Sequence, residues 1–265
     1  MECFLKHNIS FSEYITGNKF IDICTDLGVE FCKTDFLRSH QGKKYNSFVT
    51  HNSDYHIDSN RLVTGPTAHS WFAQNKDVES DNVISIPIGL ENMVLRSDNS
   101  KYIHHSSQVN NALVKANMID RIAGFQVKKN NLVYMNFNVG TYPTERSHVW
   151  NKFVEEPWVS ATSNLSMEKF YFDVASSKFI ISPRGNGVDC HRTWEALYLR
   201  TVPIVRKSIH MKEFDDLPIF FVDKWDEVCY NTLENFYKKV ETKLFNLDKM
   251  KISYWRKKIS ESTNI

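Results

Sequence analysis

The 265-residue sequence has no apolar run approaching the about 20 residues that cross a bilayer, and residues 1–10 lack the apolar stretch of a signal peptide. Both absences point to a cytoplasmic protein without a membrane span. An excess of one charge is missing too. The formal net charge of +2 is too small to make nucleic acid or an anionic membrane the main partner, because those partners take clustered positive charge. The basic residues that do concentrate, Lys249, Lys251, Arg256, Lys257 and Lys258, read as a solvated helix face. Cys3, Cys24, Cys32, Cys190 and Cys229 form an odd set with no CxxC pair and no histidine at zinc-finger spacing. That argues against a disulfide framework and a structural zinc, and it fits reduced thiols. Neither GxxxxGK[ST] nor GxGxxG occurs, which weighs against a nucleotidyl- or sulfotransferase of the usual phosphate-loop kind.

What remains is an ordinary globular composition, with 42% hydrophobic and 24% charged residues, enough for one large core or two small ones. Along the second half, apolar strand-like runs alternate with segments of helical period, the mark of βαβ units in a parallel sheet. Strands are expected at 131–138, 158–160, 178–182, 202–206 and 220–223. Helices are expected at 141–154, 166–177, 189–199, 228–240 and 248–260. The first half carries the same rhythm more weakly, with strands at 20–24, 47–51 and 83–88 and helices at 30–37 and 66–75. A polar stretch, 97–115, reads as a linker. The expected organisation is therefore an N-terminal lobe over 1–110, a second lobe over 111–245, and a C-terminal helix over 246–265 that crosses back to the first.

One segment gathers chemistry: Ser182-Pro-Arg-Gly-Asn-Gly-Val-Asp-Cys-His-Arg-Thr-Trp-Glu, between a buried strand and an amphipathic helix. In open α/β sheets, ligands bind at the carboxyl ends of strands beside helix N-termini, whose free amides attract phosphate. Gly185 and Gly187 let the backbone approach a ligand, Asn186 tolerates left-handed dihedrals, and Asp189 suits the N-cap. Trp194, Leu197 and Tyr198 share the core face of the helix with Cys190, while Arg192 and Glu195 fall opposite. An arginine near a helix start opposes the dipole unless it meets an anion, which its planar guanidinium grips bidentately. Glu195 can accept hydrogen bonds from a ribose diol. A tight structural turn with a surface Arg192–Glu195 pair is the competing reading.

The run SPRGNGVDCHRTWEALYLRTVPIV resembles the donor-binding signature of exostosin-type glycosyltransferases, with looser similarity at NLVYMNFNVGTYPTER. YNSFVTHNSDYHI, SWFAQN and IPIGLEN are similar to short exostosin-like enzymes of large algal viruses, a group that includes a xylosyltransferase. The resemblance implies a GT-B fold of two facing Rossmann-like lobes and inverting transfer, with the nucleotide sugar on the C-terminal lobe. It also implies an oligosaccharide or glycoprotein acceptor, such as a viral capsid glycan, on the N-terminal lobe in the host cytoplasm. UDP-xylose is the donor it favours, ahead of UDP-glucuronic acid, UDP-galactose and UDP-N-acetylglucosamine. No metal or other cofactor is required by that pattern, and the adjacent Asp215-Asp216 lacks the Asp-x-Asp form. Ser182, Arg184, Gly185, Asn186, Gly187, Asp189, Arg192 and Glu195 would then bind the donor, joined by Thr144 and Arg146 after the strand that ends near Phe137. Tyr142 lies beside them.

Inverting transfer needs one general base on the acceptor hydroxyl. Thr50-His51-Asn52-Ser53-Asp54 follows a strand-like run and puts polar groups at the expected cleft edge. Asp54 is the first candidate, His51 the second and Glu91, after Ile86-Pro-Ile-Gly, the third. Asn52 and Trp71 are candidates for acceptor contact. His51 also reads as a capping or core histidine, Asp54 as an N-cap or turn residue, and Trp71 as core. A non-catalytic sugar- or nucleotide-binding module on the same fold remains the alternative function.

Overall fold

The computed structural model describes residues 1–91, 93–94, 103–104, 112–125 and 127–263. The first part of the chain holds β1 (Glu2–Cys3), α1 (Gly17–Leu27), β2 (Glu30–Lys33), β3 (Lys44–His51), α2 (Ser59–Thr64), β4 (Thr67–Ala73) and β5 (Val83–Ser85). A small antiparallel pair follows, β6 (Met93–Val94) with β7 (Ile103–His104). Then come α3 (Ala112–Gly124), β8 (Asn131–Met135), α4 (Pro143–Phe153), β9 (Val159–Ala161), α5 (Met167–Ala175) and β10 (Ser177–Ile181). The chain continues through α6 (His191–Tyr198), β11 (Val202–Arg206), β12 (Phe220–Val222), α7 (Tyr230–Thr242), β13 (Leu244–Phe245) and α8 (Ile252–Thr263).

Two parallel sheets organise this mixed α/β fold. One has the order β2-β3-β4-β5 and the other β12-β11-β10-β8-β9. Strands covered on both faces read as continuous apolar runs, and Val133-Tyr-Met135 and Phe179-Ile-Ile181 are fully buried for that reason. In the first sheet, neighbouring side chains take opposite faces. Val49 and Phe72 join the main core, while Phe48 and Trp71 fill a smaller cluster on the other side. The main core runs on into the second sheet through Val133, Phe179 and Ile204. No helix among the described residues is long and apolar enough to cross a membrane.

Three expectations for the first half are corrected. Residues 20–24 belong to α1, where Phe20, Ile23 and Cys24 repeat at helical spacing, Thr16 accepts from the Lys19 N–H, and Gly28 closes the helix in the left-handed region. Residues 30–33 form β2, not a helix, and pass into a 3-10 segment over Thr34–His40. Residues 67–73 form the strand β4, where aromatic and β-branched side chains fit a pleated, buried surface. The expected linker, 97–115, falls mostly outside the described residues, and its last residues open α3.

The chain ends cross between the sheets. Near the start, β1 pairs with β13, His7 Nε2 donates to the Leu197 carbonyl at 3.0 Å, and the Ile15 N–H donates to the Tyr198 hydroxyl at 2.9 Å. Residues 1–16 thus reach α6 and β13 as well as Leu90, whose N–H donates to the Ile15 carbonyl at 2.8 Å. In the reverse direction, α8 lies on α1 and β3, with Arg256 on Asp26 at 2.8 Å and Ser262 on Ser47 at 2.7 Å.

Gly89 shows how tightly this junction closes. Its φ is +66°, and an added Cβ would stand 2.4 Å from the Ile15 carbonyl oxygen. Gly28, at φ +65°, has open space around it. Urea unfolding should therefore show Gly89→Ala losing about 3 kcal/mol or more, against about 1 kcal/mol for Gly28→Ala, where only the backbone strain acts.

Candidate functional site

The carboxyl ends of the strands in both sheets meet, which is where an open parallel sheet collects its ligand-binding loops. Asn75 follows β4 and reaches the loop after β10. Its Oδ1 accepts the Asp189 N–H at 2.9 Å, and its amide lies where a Cβ on Gly187 would come within 2.7 Å. Gly187 is required by that contact, and neither it, Gly185 nor Asn186 has a positive φ, so the left-handed role expected of Asn186 does not occur. Asn75 itself takes the left-handed conformation, at φ +58°.

Asp189 was expected at the N-cap of α6, but Cys190 occupies that position and makes no side-chain cap. The Asp189 carboxylate is instead buried between the sheets. It accepts from the Ile88 N–H at 2.7 Å and the Trp194 indole at 2.8 Å, and it lies 3.5 Å from His210 Nε2. His210 Nδ1 accepts the Lys76 N–H at 3.2 Å, so the ring's proton sits on Nε2, facing the carboxylate. Burial alone would raise the Asp189 pKa. His210, Ile88 and Trp194 outweigh it and hold the carboxyl below its ordinary value. So placed, Asp189 binds the two sheets to each other and is closed to a donor.

Of the arginines, Arg146 is as buried as Asp189, whereas Arg184 and Arg192 are half-buried. Arg146 Nε donates to the Arg184 carbonyl and its Nη1 to the Asn138 carbonyl, each at 2.8 Å. Arg192 Nε donates to the Asn136 carbonyl at 3.0 Å. Both guanidinium carbons lie 5.6 Å from the centre of the Phe137 ring. Burial, and next the charge of Arg192, lower the Arg146 pKa. Arg184 stacks on Tyr142 at 4.6 Å and donates to His56 Nε2 at 2.9 Å. None of the three forms an ion pair with a carboxylate among the described residues. They stand at the amino end of α6, where the helix adds its own partial positive charge. Beside them a cavity of about 320 Å³ is lined by Tyr142, Glu145, Arg184, Val188 and Arg206, with Asp77 from the opposite sheet.

The other expected residues divide. Ser182 is buried and bonded to Thr193 Oγ1 at 3.0 Å; Thr144 is exposed on the first turn of α4. Gly185 backs onto Arg146, whose Nη2 would be 3.3 Å from an added Cβ. Glu195 is buried, not on an open face: its Oε1 accepts from Tyr171 at 3.0 Å and Lys115 at 3.2 Å. Glu91 lies 3.1 Å from the same lysine. Burial would lower the Lys115 pKa, but Glu195 and Glu91 raise it above the ordinary value.

On the first sheet, His51 is fully buried at the end of β3, where burial lowers its pKa to about 4. Its Nε2 is 3.0 Å from the Pro87 carbonyl and its Nδ1 2.6 Å from the Asn52 Oδ1. Because a carbonyl only accepts, Nε2 carries the single proton, and Nδ1 accepts from Asn52 once that amide is turned to present its NH2. Both nitrogens are used, which removes His51 as a base. Asn52 takes φ +59° at this bend. Trp71 is also fully buried, its indole donating to Thr50 Oγ1 at 2.9 Å, and it offers no surface to a sugar. Asp54 is exposed at the mouth of the junction, 3.2 Å from the Asn186 amide nitrogen.

Sequence reading missed Asn75, His56, His210, Lys115 and Arg206, all brought in from other elements. Only Arg206, at the carboxyl end of a strand, had a local signal. No group of three or more His, Cys, Asp or Glu side chains placed to hold a metal ion occurs among the described residues. No protein-family model matches the chain, and no curated protein sequence is significantly similar to it.

Two outcomes are expected. Asp189→Asn weakens the acceptor facing Ile88, Trp194 and His210, and should cost about 3 kcal/mol in urea unfolding, with both sheets lost in one transition. His7 and His51 are each lowered by burial from 6.5 to about 4. The unfolded chain therefore binds protons first: stability is complete above pH 6.5 and falls as pH drops toward 4, by at most about 3 kcal/mol for each ring. Urea midpoints between pH 7 and 4.5 should show the fall, reduced in His51→Gln.

Proposed function

We propose that the chain is a GT-B-type inverting glycosyltransferase that binds a nucleotide sugar between its two parallel sheets. One observation carries the reading: Arg146 and Arg192 both lie 5.6 Å from one aromatic ring at the amino end of α6, and neither has a carboxylate partner among the described residues. Guanidinium groups held near each other against their repulsion fit a diphosphate, whose negative charge grows as the sugar departs. Arg184 extends the same cationic wall into the cavity beside Tyr142. UDP-xylose is the donor we favour, with no metal or other cofactor needed because the arginines and the helix supply the positive charge.

Of the three candidate bases, Asp54 is the one we retain. It is exposed at the mouth of the junction, whereas His51 is enclosed and Glu91 is ion-paired with Lys115. Asp54 takes the proton of the acceptor hydroxyl as that oxygen bonds to the anomeric carbon. The bond from that carbon to the diphosphate breaks, and the nucleotide leaves with the electron pair. The acceptor would be a glycan on an oligosaccharide or glycoprotein. The five cysteines are all unpaired, in keeping with action in the cytoplasm. The burial of His51 and Trp71 also gives weight to the alternative, a sugar- or nucleotide-binding module without transfer.

Calorimetry with UDP- and GDP-sugars separates these readings. A nucleotide sugar should bind, and Arg192→Ala should weaken it by about tenfold to a hundredfold, the worth of a charge-assisted bond. Asp54→Asn should leave binding intact and lower transfer by about a hundredfold or more. Binding without transfer or donor hydrolysis would establish the module; silence toward every nucleotide sugar would overturn both.

A further inference from the structure

At the other end of α6 a second cationic cavity opens, on the amino-terminal edge of the second sheet. Its volume is about 480 Å³, and its walls include Leu5, Ile122, Val127, Lys129, Arg200 and Tyr237. Lys129 Nζ donates to Thr201 Oγ1 at 2.7 Å and to the Leu199 carbonyl at 3.3 Å. Arg200 donates from Nε to the His7 carbonyl at 2.9 Å and from Nη1 to the Ala123 carbonyl at 2.8 Å. Arg200 is held at φ +57°, a conformation a non-glycine residue rarely takes. Every one of these acceptors is neutral, and neither cation pairs with a carboxylate among the described residues.

The local charge does not balance. Leu199 and Ala123 stand at the carboxyl ends of α6 and α3, and each helix end carries about half a negative charge at most. Together they offset one of the two cations, and Lys6 at the rim adds a third. The remaining ionisable wall group, Tyr237, is neutral, its hydroxyl pushed up to about 12 by burial and then by Glu241 and Glu234. Burial, with Arg200 acting in the same direction, pulls the Lys129 ammonium down to about 7. A positive charge kept in such a place without an anion is unfavourable, and an anion in the cavity removes the imbalance.

We propose that this cavity is a second ligand site, which takes a small organic anion with its carboxylate or phosphate on Lys129 and Arg200 and its apolar body against Leu5, Ile122, Val127 and Tyr237. The site lies at the opposite end of α6 from Arg192 and assumes nothing about the cleft between the sheets. Phenyl phosphate is a suitable ligand for the test, with inorganic phosphate for comparison. Thermal shift and NMR of ε-13C-labelled lysines would follow binding in the wild-type chain and in Arg192→Ala, which weakens any phosphate binding at the cleft.

Phenyl phosphate should stabilise both proteins alike and raise the titration midpoint of the Lys129 resonance, assigned by its loss in Lys129→Met. Lys129→Met should bind about tenfold more weakly or worse, while Lys129→Arg, which keeps the charge, retains affinity. Unchanged affinity in Lys129→Met would overturn the proposal, as would a Lys129 resonance that does not move. So would abolition of the response by Arg192→Ala, which would place the binding in the cleft. Equal affinity for inorganic phosphate would overturn the role given to the apolar wall.

Discussion

The relation between the two sheets depends on the buried carboxylate of Asp189. Bonds from Ile88 on one side and Trp194 on the other, with His210 alongside, make it a charged knot in the junction. A buried carboxylate is costly unless its lone pairs are filled, and here the partners come from three separate stretches of chain. The carboxylate therefore tolerates little relative movement of the loops that carry them. The neighbouring contacts of Asn75 on the Asp189 N–H and of His191 on the Gly89 carbonyl, at 2.9 and 2.8 Å, extend the same seam.

Against that satisfied seam, the cationic groups on α6 and its neighbours stand out. Most charges near the junction have opposite partners, Glu145 with Arg206 and Lys115 with Glu91 and Glu195 among them. Arg146, Arg184, Arg192, Lys129 and Arg200 are instead anchored by neutral acceptors or aromatic rings. The anchors fix where each positive charge points without neutralising it. Both ends of one short helix thus carry oriented positive charge, and both functional readings follow from that.

The second sheet was legible in the sequence because its central strands, β8, β10 and β11, are largely buried and appear as apolar runs between helices. The first sheet was less so. Trp71 and Phe72 are adjacent and both buried, and only the sheet, by sending them to opposite faces, explains how. Phe20 to Cys24 looked extended because its caps, Thr16 and Gly28, lie outside the run that drew notice. At the site, Ser182 to Glu195 was recognisable as a unit, since glycines, a cap-like aspartate and arginines fall within one strand–turn–helix. What turned Asp189 inward and enclosed His51 are Ile88, His210 and Pro87, partners whose distance along the chain leaves no local pattern.

The crossing of the chain ends has a kinetic side. The β1–β13 pairing closes a loop of more than 240 residues, from Glu2 to Phe245, and α8 then returns to strands formed near the start. Contacts so far apart in sequence lose loop entropy before they gain stability, which slows folding. The first sheet is covered by α8, and residues 1–16 contact α6 and β13. During synthesis the first sheet emerges long before α8, so the covering of its strands waits on residues 252–263.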